Sequence, residues 1–256
     1  ILPGETLGVA GTMGLDEGVT VAEIEVRLSQ GTFDTLDPVP GFAAERVAFE
    51  DGPYRDGASG VVLNPLSTSF TEVRVSAIPY NEDGTIIGGG FAYLNFVLPE
   101  DASGVTLSLT KDGEIASVVL YPTVSGLTSV GDDEPLPDGA EAAAVTTSGY
   151  GQRGRSVGYG FLVENPNASL LMESTPYRVT AYDAEGYVLA TDQGTIAHVL
   201  PGRTLGVGGG LTVGEGDVVD RLEARVLTGD LVGADGARHY AAEDATYHPG
   251  DYADRV

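Results

Sequence analysis

The sequence predicts an all-β protein built from tandem antiparallel β-sandwiches of roughly 100 residues each. Three observations lead there. The chain repeats itself, its apolar and polar residues alternate with a period of two, and its 256 residues include 37 glycines and 14 prolines, a composition that works against long helices.

The repeat defines the unit. Leu2-Pro3-Gly4-Glu5-Thr6-Leu7-Gly8-Val9 returns as Leu200-Pro201-Gly202-Arg203-Thr204-Leu205-Gly206-Val207, 198 positions on. The same offset places Glu17-Gly18 on Glu215-Gly216, residues 24–28 on 222–226, Gly31 on Gly229 and Phe49 on Tyr247. A weaker copy lies between them. Val62-Leu63-Asn64-Pro65 resembles Val163-Glu164-Asn165-Pro166, Asp83-Gly84 resembles Glu185-Gly186, and Leu98-Pro99 resembles Leu200-Pro201. The predicted organisation is the second half of a unit at 1–43, a whole unit at 44–143, a second whole unit at 144–242 and a leading strand at 243–256.

The strands follow from the alternation. Ile24, Val26 and Leu28 are predicted inward, with Glu23, Glu25 and Arg27 outward. Val105, Leu107 and Leu109 alternate with Thr106, Ser108 and Thr110. Tyr177, Val179 and Ala181 alternate with Arg178, Thr180 and Tyr182, and Leu222, Ala224 and Val226 with Arg221, Glu223 and Arg225. Asn81-Glu82-Asp83-Gly84 and Asp183-Ala184-Glu185-Gly186 are predicted as equivalent turns, each with a glycine where the backbone needs a positive φ. Residues 34–40 and 131–139, rich in proline or acid, are predicted connections between units.

The middle of each whole unit resembles the FxLyD domain, an immunoglobulin-like β-sandwich of secreted and cell-envelope proteins. The residues that carry the resemblance are Asn64-Pro65 and Asn165-Pro166, and the strand-turn stretches 73–84 and 177–186 that follow. The Leu98-Pro99 and Leu200-Pro201-Gly202 steps complete it. The resemblance covers about half of each unit. It implies tandem immunoglobulin-like sandwiches, an extracellular or cell-surface location, and no catalytic residues.

Charge narrows the partners. Against 38 acidic residues stand 13 basic ones, one of them lysine, for a net charge of −25. Such a surface suits high salt, where screening removes its self-repulsion. It offers no basic stripe for nucleic acid or for an anionic membrane surface. No apolar run approaches the roughly 20 residues that span a bilayer. The lack of cysteine rules out disulfides, thiolate catalysis and cysteine-based zinc sites.

The residues that could carry chemistry are few. His198 sits in a strand, where a structural role is expected. His239 and His248 lie near Glu243, Asp244 and Asp251, at spacings that fit no compact metal site. Asp132-Asp133-Glu134 offers carboxylate oxygens of the kind calcium takes, but without the alternation of a dedicated loop. Gly206-Val207-Gly208-Gly209-Gly210 precedes no helix and predicts bulges or close backbone approaches. Asn167-Ala168-Ser169 is an N-glycosylation sequon predicted on a surface turn. Neither a nucleophile elbow nor a phosphate-cradling loop occurs, so no cofactor, metal or catalytic residue is assigned and no enzyme is expected.

The expected function is therefore structural: a non-catalytic stalk, sheath or filament of tandem acidic sandwiches at the cell surface or outside it. Its expected partners are neighbouring repeats or other copies of itself, with strand exchange as one way to complete partial units. A longer array is preferred, since a swap of the 14 terminal residues leaves about 40 residues of a unit unsupplied. The alternative is an extracellular module that binds a glycan or a protein, with Tyr240, Tyr247 and Tyr252 as candidate aromatics. The absence of tryptophan counts against a glycan.

Overall fold

The computed structural model describes residues 5–29, 31, 41–51, 56–130 and 136–234. Among these the chain is all-β, with no helix and with every strand pairing antiparallel.

The first eight strands are β1 (Ala43–Asp51), β2 (Asp56–Leu63), β3 (Phe70–Tyr80), β4 (Gly88–Val97), β5 (Ala102–Ser108), β6 (Thr110–Lys111), β7 (Ser117–Thr123) and β8 (Ser129–Val130). They form two sheets, β1-β2-β5 and β6-β4-β3-β7, with β8 also on β3. Val62 and Val105 of one sheet and Val73, Val75, Leu94 and Leu120 of the other meet in a single buried core.

The next seven are β9 (Ala144–Arg153), β10 (Ser156–Glu164), β11 (Leu170–Tyr182), β12 (Val188–Val199), β13 (Thr204–Thr212), β14 (Arg221–Val226) and β15 (Asp230–Gly233). Sheets β13-β10-β9 and β12-β11-β14, with β15 on β11, enclose a second core around Val157, Phe161, Val163, Met172, Val179 and Val199.

The two sandwiches share their register. Val73 faces Leu94 across β3 and β4, and Thr175 faces Ile196 across β11 and β12, each 102 positions on. Gly84 and Gly186 both adopt positive φ, at 74° and 83°. The first residue of each turn, Asn81 or Asp183, accepts the N–H four positions on, at 2.8 and 2.7 Å. Asn64 and Asn165 are buried and do the same work. Asn64 Nδ2 donates to the carbonyls of Thr68 and Leu98 (both 2.8 Å), and Asn165 Nδ2 to those of Leu170 and Val199 (2.8 and 2.9 Å). A buried carbonyl left unpaired costs about 1–3 kcal/mol, so one amide that satisfies two of them ties a connection to the end of a strand.

One expectation is corrected. Residues 5–29 hold no strand, and Ile24, Val26 and Leu28 are 68, 79 and 94% exposed. Their matches on β14 pair with β11, and the described residues supply residues 23–28 with no such ladder. Of the bulges or close approaches predicted for residues 206–210, bulges are not seen, since β13 pairs with β10 in unbroken register. Gly209 is a close approach instead, with the Tyr159 hydroxyl in the space of a Cβ.

Candidate functional site

Where the two sandwiches meet is the most elaborated surface of the molecule. Arg178, Thr180 and Tyr182, predicted to face outward from β11, do point away from their own core. All three are nonetheless buried: Asn95 of β4 meets Arg178, Gly104 of β5 meets Thr180, and Val61 of β2 clusters with Tyr182. Gly104 permits the approach: a Cβ there would stand 3.0 Å from Thr180 Oγ1 and closer still to its methyl group. Beside it the Thr106 and Thr191 hydroxyls share a 2.7 Å hydrogen bond. Val61, Tyr182 and Val188, with Leu63 and Ala102, form a small apolar cluster that belongs to neither core alone.

The polar side of the junction is a network. Asn95 Nδ2 donates to the Tyr177 carbonyl at 3.0 Å, and Gln193 Nε2 to the Tyr93 carbonyl at 3.1 Å. Arg178 donates to Gln193 Oε1 at 2.9 Å and to Asn95 Oδ1 at 3.3 Å, while its Nε is buried without a partner. Burial lowers the Arg178 guanidinium from its ordinary value to about 10. A partly exposed ion pair, Arg225 to Asp101 at 3.4 Å, closes the rim.

A cleft of about 640 Å³ opens between the sandwiches, beside this junction. Glu50, Asp183, Asp192, Glu215 and Asp217 line it, with Arg155 as the one cation among the described residues. Several of these groups are already engaged. Asp183 accepts the Tyr187 N–H at 2.7 Å and Asp217 the Gly214 N–H at 2.8 Å, while Arg155 donates to the Val213 carbonyl at 3.0 Å. Tyr159 donates its hydroxyl to Asp192; burial first, and then that carboxylate, push the phenol far above its ordinary range. A phenol so held is a fixed donor, not a base. The arrangement suits binding a polar or cationic group better than proton transfer.

The described residues among those singled out from sequence do not converge there. His198 lies on β12 with its Nε2 3.3 Å from Glu173 Oε1, as a half-exposed cross-strand pair. Among the described residues no three His, Asp or Glu side chains stand together as a metal site. Asn167 is not on an open turn: it is 8% exposed, and its amide donates to the Glu141 carbonyl at 2.9 Å and to Asn165 Oδ1 at 3.0 Å. His239, His248, Tyr240, Tyr247, Tyr252 and the 132–134 acidic run fall outside the described residues. Asn95, Arg178 and Gln193 were not singled out as site residues; the available sign was polar side chains set within otherwise apolar strands.

No family model and no curated protein matches the chain. Among solved structures, a β-glucuronidase of glycoside hydrolase family 2 is 8% identical, with a TM-score of 0.26 over 66% of this chain and 21% of that one. Bacteroides uniformis β-glucuronidase 2 bound to a cyclophellitol-6-carboxylate aziridine is 12% identical, with a TM-score of 0.23 over 63% and 22%. A calcium-binding mutant of the same enzyme is 14% identical, with a TM-score of 0.24 over 74% and 26%. The chain thus spans about a fifth to a quarter of those proteins. Likeness of this size carries no argument about activity.

Proposed function

We propose that this chain is a non-catalytic structural segment of a cell-surface or extracellular stalk or filament, made of tandem acidic sandwiches of the FxLyD-like, immunoglobulin-like kind. The observation that carries this is the junction. Thr106–Thr191, Gly104–Thr180 and the Asn95–Arg178–Gln193 network join one sandwich to the next through buried contacts. A load-bearing rod needs its units coupled in this way, whereas flexible tethers leave their facing surfaces wet and polar. Labelling intact cells of the source with an antibody to residues 144–233 tests the location. Surface decoration in continuous fibres or a coat is expected, and a signal seen only after lysis overturns the proposal.

The second reading is an extracellular module that binds a glycan or a protein, and the 640 Å³ cleft favours it. Its acidic lining points to a cationic or hydroxyl-rich ligand. Saturable binding to a glycan panel or a basic peptide, lost in Asp192→Asn, would move this reading ahead.

A further inference from the structure

Arg46 holds a backbone conformation that its side chain disfavours. Its φ is 49°, in the left-handed region where a Cβ crowds the carbonyl that follows. The local cause is a slip of register. In β1, Glu45 faces Val61 of β2 and Ala48 faces Ser59, so Arg46 and Val47 together oppose Gly60. A bulge of this kind re-aims a side chain away from the row it would otherwise join.

The re-aimed side chain leaves its own sandwich. Arg46 Nη1 donates to the carbonyl of Glu185, in the turn between β11 and β12. A Cβ on Gly186 would stand 3.3 Å from Arg46 Nη1, 3.4 Å from its Cζ and 3.6 Å from its Nε, so the guanidinium lies broadside against that glycine. Asp183 and Glu185 give the same turn a negative charge.

The repeat supplies a comparison. β9 bulges against β10 at the same place, since Val145 faces Val163 and Thr147 faces Leu162, which leaves Thr146 where Arg46 stands in β1. Thr146 is exposed and does not adopt a positive φ. The turn of the first sandwich that matches 183–186 ends at Gly84, and a Cβ there would meet nothing within 4 Å among the described residues. The bulge therefore belongs to the repeat, whereas the left-handed arginine and its contact belong to this junction.

Position gives the contact its use. The other contacts of the junction come from β4, β5 and β2: Asn95 on Arg178, Gly104 on Thr180, Thr106 on Thr191, and Val61 in the cluster with Tyr182 and Val188. β1 lies beyond β2, two strands from β5 and so roughly 10 Å away. Two bodies joined along a band can rock about it, and an attachment off the band opposes that motion. The cleft opens on this side, with Ala48, Phe49 and Glu50 on one wall and Asp183, Tyr187 and Asp192 on the other. Glu50 and the aspartates carry like charge, which presses the walls apart.

We infer that Arg46 is a latch that fixes the angle between the two sandwiches, and with it the width of the cleft. The bulge and the left-handed backbone aim the guanidinium, and the Glu185 carbonyl and Gly186 receive it. The latch does not rest on the stalk reading, since it concerns the joint and not the place where the protein works.

The test uses the full chain, whose lack of cysteine lets spin labels be placed in pairs. Ser117→Cys with Val218→Cys spans the joint, and Ser67→Cys with Ser117→Cys lies within the first sandwich; all three residues are exposed. Arg46→Gly accepts the left-handed φ without strain, and Arg46→Asn tolerates it but is too short to reach the turn. In both variants the distance distribution across the joint is expected to widen at least about twofold, while that of the internal pair stays as in the parent chain. An unchanged width across the joint in both variants overturns the inference. So does equal widening of the internal pair, because Arg46 would then act on its own sandwich. Cell-surface labelling does not read this distance, so the stalk proposal and the latch fail separately.

Discussion

The Thr106 and Thr191 hydroxyls lie 2.7 Å apart, 85 residues distant in sequence and on different sandwiches. Their pairing marks the line where the outer face of β5 becomes the cover of β12. Half-buried polar contacts of this kind contribute little net energy, but they penalise any other alignment of the two sheets. The predictions below test that junction, the asparagine clamps and the acidic surface.

Gly104→Val is expected to loosen the junction while leaving both cores intact. The new side chain meets Thr180, whose branched Cβ gives it little freedom to move. The cost is about 1–3 kcal/mol, read as a loss of coupling between the unfolding of the two sandwiches in denaturant. Adding Thr180→Ala should restore part of it.

Asn165→Ala is expected to destabilise the second sandwich by about 2–4 kcal/mol, because the Leu170 and Val199 carbonyls and the Asn167 N–H lose their partner together. Asn64→Ala should do the same to the first sandwich and spare the second. Amide exchange resolved by strand separates the two effects.

Arg178→Met removes a buried cation and keeps most of its volume, so at neutral pH it should be within about 1 kcal/mol of the wild type or more stable. Arg178→Ala should be worse, since it adds a cavity. Above pH 10 the comparison changes in sign-defined fashion. The folded guanidinium, lowered to about 10 by burial, releases its proton before the unfolded one does. Wild-type stability therefore gains from this group as pH rises above about 10, and the gap to Arg178→Met moves in the wild type's favour. Chemical denaturation at several pH values reads it.

A net charge of −25 predicts that salt stabilises the chain. The screening length falls from about 30 Å at about 0.01 M to about 3 Å at about 1 M, which removes repulsion between carboxylates on one sandwich. A thermal midpoint that rises with sodium chloride over this range is expected. A midpoint that is flat or falls would mean the acidic surface carries no such adaptation.

Much of the fold is legible in the sequence at the level of single strands and turns. Alternation around Val179 and Val105 reports which side chains face a core, and Gly84 and Gly186 report turns that need positive φ. The candidate site is less legible. Arg178, Thr180 and Tyr182 read as an outward polar face, and they would be one if β11 had a single neighbour. Asn167 reads as a surface sequon because its sequence neighbours are polar, yet Glu141 and Asn165 enclose it.

By itself, then, the sequence determined the all-β class, the repeat, the alternation and the turn positions. These depend on residues a few positions apart, whose φ preferences and side-chain directions are local. Only the tertiary structure decided that the outer face of β11 is buried, that Asn64 and Asn165 tie distant strand ends, and that residues 23–28 have no ladder among the described residues. Each of these depends on a second surface dozens of residues away. Burial and ladder formation belong to a pair of surfaces, and no single strand encodes its partner's presence.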